Sequence, residues 1–135
     1  MKDRVFLDTN VVVYLYSKDE PKKRTIAQQL LLANSSIIST QVLQEFANIS
    51  RKKHKAEWSK ISDALEEITS CTSVFTNEKQ TVIHAIKLAE QTKYSFYDSL
   101  IIAAALANGC HVLYSEDLQH NQLIEKKLRI VNPFL

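Results

Sequence analysis

Val5-Phe6-Leu7-Asp8-Thr9-Asn10 decides the reading of this chain: three strand formers stop abruptly at an acid and two polar residues suited to starting a helix. Val11 to Tyr16 then reads as a short helix, ending at Ser17 and the turn Asp19-Glu20-Pro21. The same grammar recurs outward from this point. A helix over 22–34 puts Ile26, Leu30 and Ala33 on one face, and Ser36-Ile37-Ile38 is a second strand. Ser39 or Thr40 then caps a helix whose apolar stripe is Val42, Phe46 and Ile49. A helix over 55–69 carries Trp58, Ile61, Leu65 and Ile68 at burial spacing. Val74-Phe75 is a third strand, followed by a helix over 77–92 with Val82, Ile86 and Ala89 inward and another over 96–108. Gly109 stands where a left-handed C-cap is wanted, and His111–Tyr114 and Leu128–Val131 are the last strands. Strands separated by helices require crossover connections, hence a mostly parallel sheet with helices on both faces. No repeat, low-complexity stretch or linker interrupts the pattern, so one α/β domain over residues 1–135 is expected.

The composition agrees and excludes several classes. The chain has 135 residues with 45% hydrophobic and 24% charged, which fits one soluble globular domain. It contains a single glycine. A P-loop, a dinucleotide fingerprint and a Gly-x-Ser-x-Gly elbow each need at least two, so all three are ruled out. Cys71 and Cys110 have no metal spacing and read as small buried thiols in a reducing cytoplasm. The longest apolar run, Leu100 to Ala107, is far short of the ~18 residues of a membrane span. No signal-peptide pattern follows Lys2-Asp3-Arg4. A net charge of +2 decides nothing about nucleic acid, so only the placement of charges can.

Four carboxylates fall in costly positions. Asp8 closes the first strand, and Asp117 follows the His111–Tyr114 strand after Ser115 and Glu116. Ligands of open parallel sheets bind beyond the carboxyl ends of strands, although each acid could equally be a helix N-cap. Asp98 shares a helix face with Tyr94, Ile101, Ile102 and Ala105, each within roughly 60° of it at about 100° per residue. It could be the first-turn carboxylate of a capping box opened by Ser95. Glu45 lies at the border of the Val42–Ile49 stripe, where a snorkelling surface residue is the plainer reading. Basic side chains are sparse around all four, with Arg4 a turn before Asp8 and none within four residues of Asp98. Carboxylates that are buried without cationic partners invite a hard divalent cation, which takes oxygen ligands and keeps several waters. Such a site suits hydrolysis of phosphodiesters.

Four blocks carry a resemblance: Val5 to Asn10, Ser39 to Phe46, Tyr94 to Ile101 and Leu113 to Leu118, with the ending Ile130-Val131-Asn132-Pro133-Phe134 similar as well. In order and spacing they resemble the signature blocks of PIN domains, closest to the VapC-type toxin ribonucleases of toxin–antitoxin pairs. The resemblance spans essentially the whole chain. It implies a three-layer α/β/α domain with a mostly parallel central sheet flanked by helices. It also implies a Mg2+- or Mn2+-dependent endoribonuclease in which Asp8, Glu45, Asp98 and Asp117 organise metal and water. Asn10 and Ser115 match supporting polar positions, and Glu116 competes with Asp117 as the fourth acid, Asp117 being preferred. The implied partners are an RNA substrate, a cognate antitoxin and a second copy of the chain in a homodimer; no membrane is involved.

The basic run Arg51-Lys52-Lys53-His54-Lys55 follows the Glu45 helix. Cations there complement the helix dipole, but Arg51, Lys52, Lys53 and Lys55 are also candidate contacts to RNA phosphates. His54, His84, His111 and His120 have no metal spacing. The stripes on the 40–52 and 55–69 helices are candidates for a dimer surface, should the domain fail to bury both. Two other functions compete. An aspartate-nucleophile phosphatase wants a second Asp at position 10, where Asn10 stands, and a non-catalytic PIN-like scaffold would not need an intact acid set.

Overall fold

The computed structural model describes residues 2–135. Six strands form one sheet: β1 (Arg4–Leu7), β2 (Ser35–Ser39), β3 (Ser73–Phe75), β4 (Val112–Tyr114), β5 (Leu123–Ile124) and β6 (Leu128–Val131). Between them run α1 (Thr9–Tyr14), α2 (Pro21–Ala33), α3 (Thr40–Lys52), α4 (Trp58–Cys71), α5 (Lys79–Thr92) and α6 (Phe96–Ala107). The strand order is β3-β2-β1-β4-β6-β5, parallel except for the β5–β6 pair.

This order has a direct consequence. The chain steps from β1 through β2 to β3 in one direction, then returns to the other side of β1 to form β4. Because parallel crossovers are right-handed, α1–α4 cover one face and α5–α6 the other. The direction reverses at the adjacent pair β1 and β4, where Leu7 stands beside Tyr114. That pair is the topological switch point, the position where α/β sheets leave a crevice beyond the strand ends.

The expected elements are present, and Asp8, Ser39 and Ser95 occupy the N-cap positions of α1, α3 and α6. Several expected faces are not as read from hydrophobicity. In α5, Thr81, Ala85 and Leu88 point inward, while Val82, Ile83 and Ile86 are exposed. The helix lies along α6, whose Ala103, Ala104 and Ala105 are fully buried, and it is this contact that selects the buried face of α5. In α2 the buried residue is Ala27, with Leu30 partly covered, rather than the expected Ile26 and Ala33. Ile61 and Ile68 of α4 are buried, but Trp58 is 61% exposed. Cys110 is buried as expected, whereas Cys71 is exposed. The short strand β5 has no counterpart in the sequence pattern, since the turn joining it to β6 uses positive φ at Glu125 and Lys126, without a glycine.

Gly109 closes α6 with φ of +66°. Its N–H donates to the Leu106 carbonyl at 3.1 Å and that of Cys110 to the Ala105 carbonyl at 3.2 Å, the paired bonds of a Schellman cap. Lys93 ends α5 in the same left-handed conformation with φ of 69°. Nothing lies within 4 Å of where a Gly109 Cβ would stand, so the cost of adding one is conformational alone. Gly109→Ala is therefore expected to destabilise the protein by about 1 kcal/mol, and Lys93→Gly to stabilise it by up to about 1 kcal/mol. Urea unfolding of the two variants checks both signs.

Candidate functional site

The carboxyl ends of β1 and β4 place Asp8 and the Ser115–Asp117 loop side by side. The Asp8 N–H continues the ladder to the Tyr114 carbonyl at 3.0 Å, and the Ser115 N–H bonds the Val131 carbonyl at 3.0 Å. The Asp8 side chain faces inward and is only 6% exposed. One carboxylate oxygen accepts the Thr9 N–H at 2.7 Å, which makes Asp8 the cap of α1; the other accepts the Ser115 hydroxyl at 2.8 Å. Cap and site residue are thus one side chain. Asp117 is no cap, since no helix follows it.

Neutral side chains tie the remaining acids to this centre. Thr9 donates its hydroxyl to Glu45 Oε1 at 2.6 Å. Asn10 donates its amide to Asp117 Oδ2 at 2.9 Å, and its Oδ1 accepts the Glu116 N–H at 3.2 Å. Ser115 Oγ accepts the Asp117 N–H at 3.2 Å and the Leu118 N–H at 3.4 Å while donating to Asp8. Asn10 and Ser115 therefore both contact the acids. Thr9 and Gln41 were not anticipated. Gln41 Nε2 reaches both Glu45 Oε2 at 3.3 Å and the Tyr97 carbonyl at 3.0 Å, linking the start of α3 to the start of α6.

The electrostatics single out Asp8. Burial pushes its pKa up to about 7; the Ser115 and Thr9 hydrogen bonds oppose the rise, and the charges of Glu45 and Asp117 add to it. The expected cost of a carboxylate among apolar neighbours thus falls on Asp8 rather than on Asp98. Asp98 is half-buried in the first turn of α6, its N–H bonded to Ser95 Oγ at 3.1 Å. The continuously buried stretch of that helix begins one residue later, at Ser99. Glu45 and Asp117 are near enough to Asp8 for their charges to raise its pKa, and Gln41 joins Glu45 to the carbonyl of Tyr97, the residue before Asp98.

Glu116 is committed elsewhere. It accepts the Tyr14 hydroxyl at 2.6 Å and pairs with Lys23 at 2.5 Å. Burial would raise its pKa, but the Lys23 and Tyr14 hydrogen bonds outweigh it and hold the carboxyl below its usual range. Of the adjacent acids, Asp117 is the one joined to Asp8 and Asn10. Lys23–Glu116 and His84–Glu125 are the ion pairs among the described residues, so Asp8, Glu45, Asp98 and Asp117 have no cationic partner.

A divalent cation fits the chemistry of this donor set. Hard cations take oxygen ligands, and Asp8, Glu45 and Asp117, with the Thr9 and Ser115 hydroxyls bonded to them, offer oxygen. The Gln41 Oε1, buried beside Glu45, has no hydrogen-bond partner. Among the described residues no three His, Cys, Asp or Glu side chains stand close enough to hold an ion as they are; the acids rest on Thr9, Asn10 and Ser115 instead, as uncompensated like charges do. Arg51, Lys52, Lys53 and Lys55 are exposed at the far end of α3 from Glu45.

The model of the PIN domain matches residues 5–126. The chain belongs to the PIN domain family. No curated protein matches its sequence. Solved structures similar to this PIN domain include a toxin–antitoxin complex from Klebsiella pneumoniae, at 20% identity and TM-score 0.73 over 96% of this chain and 97% of that one. DNA-bound VapBC from Salmonella typhimurium matches at 21% identity and TM-score 0.69 over 95% and 96% of the two chains. VapC20 of Mycobacterium tuberculosis, described as a sarcin–ricin loop cleaving toxin, matches at 18% identity and TM-score 0.68 over 84% and 89%. At these identities the likeness is one of fold, and it confirms the three-layer α/β/α architecture.

The Asp8 environment makes stability depend on pH. A carboxyl whose pKa is raised from 3.8 to about 7 on folding binds its proton more tightly in the folded state. Its stabilising contribution is complete below pH 4 and is lost as the pH rises to 7. In EDTA, the wild type should lose up to about 4 kcal/mol relative to Asp8→Asn across that window. Urea unfolding of both proteins at pH 4 and pH 7 measures the difference.

Proposed function

We propose that the protein is a Mg2+- or Mn2+-dependent endoribonuclease, the toxin of a toxin–antitoxin pair, acting in the cytoplasm as one domain over residues 1–135. The observation that carries this reading is the buried, cation-free Asp8 at the switch point, with Glu45 and Asp117 close enough to raise its pKa. Family membership supports it, and the toxin–antitoxin complexes of similar fold support a cognate antitoxin as partner. Asp8, Asp117, Glu45 and, across the Gln41 link, Asp98 would hold the metal.

A bound divalent ion there lowers the pKa of an attacking water and neutralises charge on the phosphate. The protein's own contribution is positioning. Ser115 and Thr9 fix the Asp8 carboxylate from both oxygens. Asn10 presents Asp117, and the Lys23–Glu116–Tyr14 cluster pins the loop that carries it. Thr9 and Gln41 together orient Glu45, one on each carboxylate oxygen. No second Asp stands at position 10 for the phosphatase route, and Asn10 is occupied in holding Asp117 and the Glu116 backbone. The intact set of acids disfavours a non-catalytic scaffold.

The homodimer needs a different surface from the one expected. Val42, Phe46, Ile61 and Ile68 are core, so the α3 and α4 stripes are largely spent within the protomer. Val82, Ile83 and Ile86 of α5 are exposed on one helix, and an apolar patch of this kind, set against a second copy by a two-fold axis, is the surface we assign to the dimer.

Two outcomes are expected. Asp8→Asn and Asp117→Asn should each lower RNA cleavage at least about a hundredfold, EDTA should abolish it, and Glu116→Gln, which loosens the loop but spares the acids, should lower it by less than either; gel assays on total RNA with added Mg2+ or Mn2+ read all four. Ile86→Lys should shift the mass in light scattering from dimer to monomer, and a wild-type monomer at high protein concentration would contradict the assigned surface.

A further inference from the structure

We propose that Trp58, backed by Arg51, is a stacking platform that holds a base of single-stranded RNA beside the cleavage site. The proposal rests on the ribonuclease reading above and adds to it a substrate-binding residue and the form of RNA bound.

Trp58 is the only tryptophan in the chain, and at 61% exposure it contributes little to the core. Its helix is anchored without it by the buried Ile61 and Ile68. An exposed aromatic face is a surface on which another flat group can stack. Here the Arg51 guanidinium lies over the ring, with Cζ 5.0 Å from its centroid, and Arg51 is itself fixed by donating to the Ala56 carbonyl at 3.2 Å. The turn between the helices is knitted: the Ala56 N–H bonds the Ser50 carbonyl at 3.0 Å, and Lys55 takes a left-handed φ of 55°. The ring is held in place by a cation, a combination that single-strand binding surfaces employ for sequence-tolerant stacking.

The charge around the ring points to the same ligand. Residues 51–60 contain five Lys or Arg (Arg51, Lys52, Lys53, Lys55 and Lys60) against one acid, Glu57, a net of +4. The whole chain carries +2, so the other residues together carry −2. None of the five takes part in the ion pairs found among the described residues. Unpaired cations concentrated around an exposed ring suit a polyanion with flat bases.

Geometry connects the patch to the acids. Glu45 and Lys52 are seven residues apart on α3, hence on nearly the same helix face and about 10 Å apart along the axis. Asn48 and Lys52 are exposed on that side, forming a polar track from Glu45 to the platform that a strand of a few nucleotides covers. Lys52 and Lys53 would meet phosphates, and Trp58 would receive a base on the face away from Arg51.

The test is a titration of a short, end-labelled single-stranded oligoribonucleotide with the full chain in EDTA, reading affinity in every variant from the anisotropy of the label and, in the wild type, Trp58 emission as well. Quenching of the emission is expected. Trp58→Ala should weaken binding roughly fivefold to a hundredfold, whereas Trp58→Phe should stay near wild-type affinity, and Lys52→Gln should lower the salt slope by about 0.7. Unchanged emission on binding, or equal affinity in Trp58→Ala, would overturn the platform. Adding Mn2+ to the same samples reads cleavage separately: cleavage without quenching sinks the platform alone, quenching without cleavage sinks the nuclease reading alone, and neither signal sinks both. A change of mass in Trp58→Ala with unaltered RNA affinity would assign the ring to a protein contact and overturn the proposal.

Discussion

The Asp8 carboxylate, almost wholly removed from water with no cation beside it, is the constraint on which the site depends. A buried carboxylate must be hydrogen-bonded, protonated or bound to a cation. The surrounding residues supply the first remedy in part, through Thr9 and Ser115, and the rise of its pKa to about 7 is the second. What they leave undone is charge compensation. Glu45 and Asp117 make the deficit worse, which is why we propose a divalent ion for this centre.

The fold produces that centre by topology. Asp8 and the Ser115–Asp117 loop are more than a hundred residues apart in sequence yet adjacent, because β4 returns to pair with β1 after the chain has built β2 and β3 on its other side. Helices on opposite faces then converge on the same edge: α3 brings Glu45 from one side and α6 brings Asp98 from the other, with Gln41 joining them. The Lys23–Glu116–Tyr14 cluster fastens the loop from a third direction, with Phe134 packed edge-on to Tyr14 at 5.0 Å. Ion pairing is thus present next to the site, but spent on Glu116 and kept away from Asp8.

Much of this was legible in the sequence. The strand that ends at Asp8 and the one that ends before Asp117 follow from short apolar runs stopped by polar residues, and helical phase alone puts Glu45 at the border of the buried stripe. What periodicity could not reveal were through-space partners. Thr9 is ordinary at a helix start, and its bond to Glu45 exists only because α1 and α3 meet; Gln41 gives no sequence signal at all. Hydrophobicity also misplaced faces where helices approach closely. Thr81, Ala85 and Leu88 form the buried face of α5, which packs along α6, and Val82 and Ile86 stand outside it. Trp58, the first residue of α4, lies at the surface with the Arg51 cation over its ring. Asp98 is half-buried in the first turn of α6, and Ile101, Ile102 and Ala105, which share its face, lie deeper along the helix.

The central claim is that the acids at the β1–β4 switch point await a hard cation. Crystals grown with Mn2+ and measured at its absorption edge test this most directly. The account predicts an anomalous peak bounded by carboxylate oxygens of Asp8 and Asp117, with Glu45 or Asp98 on its far side and Glu116 still paired to Lys23. A peak on Glu116, or none at this strand edge with Mn2+ present in excess, would contradict it.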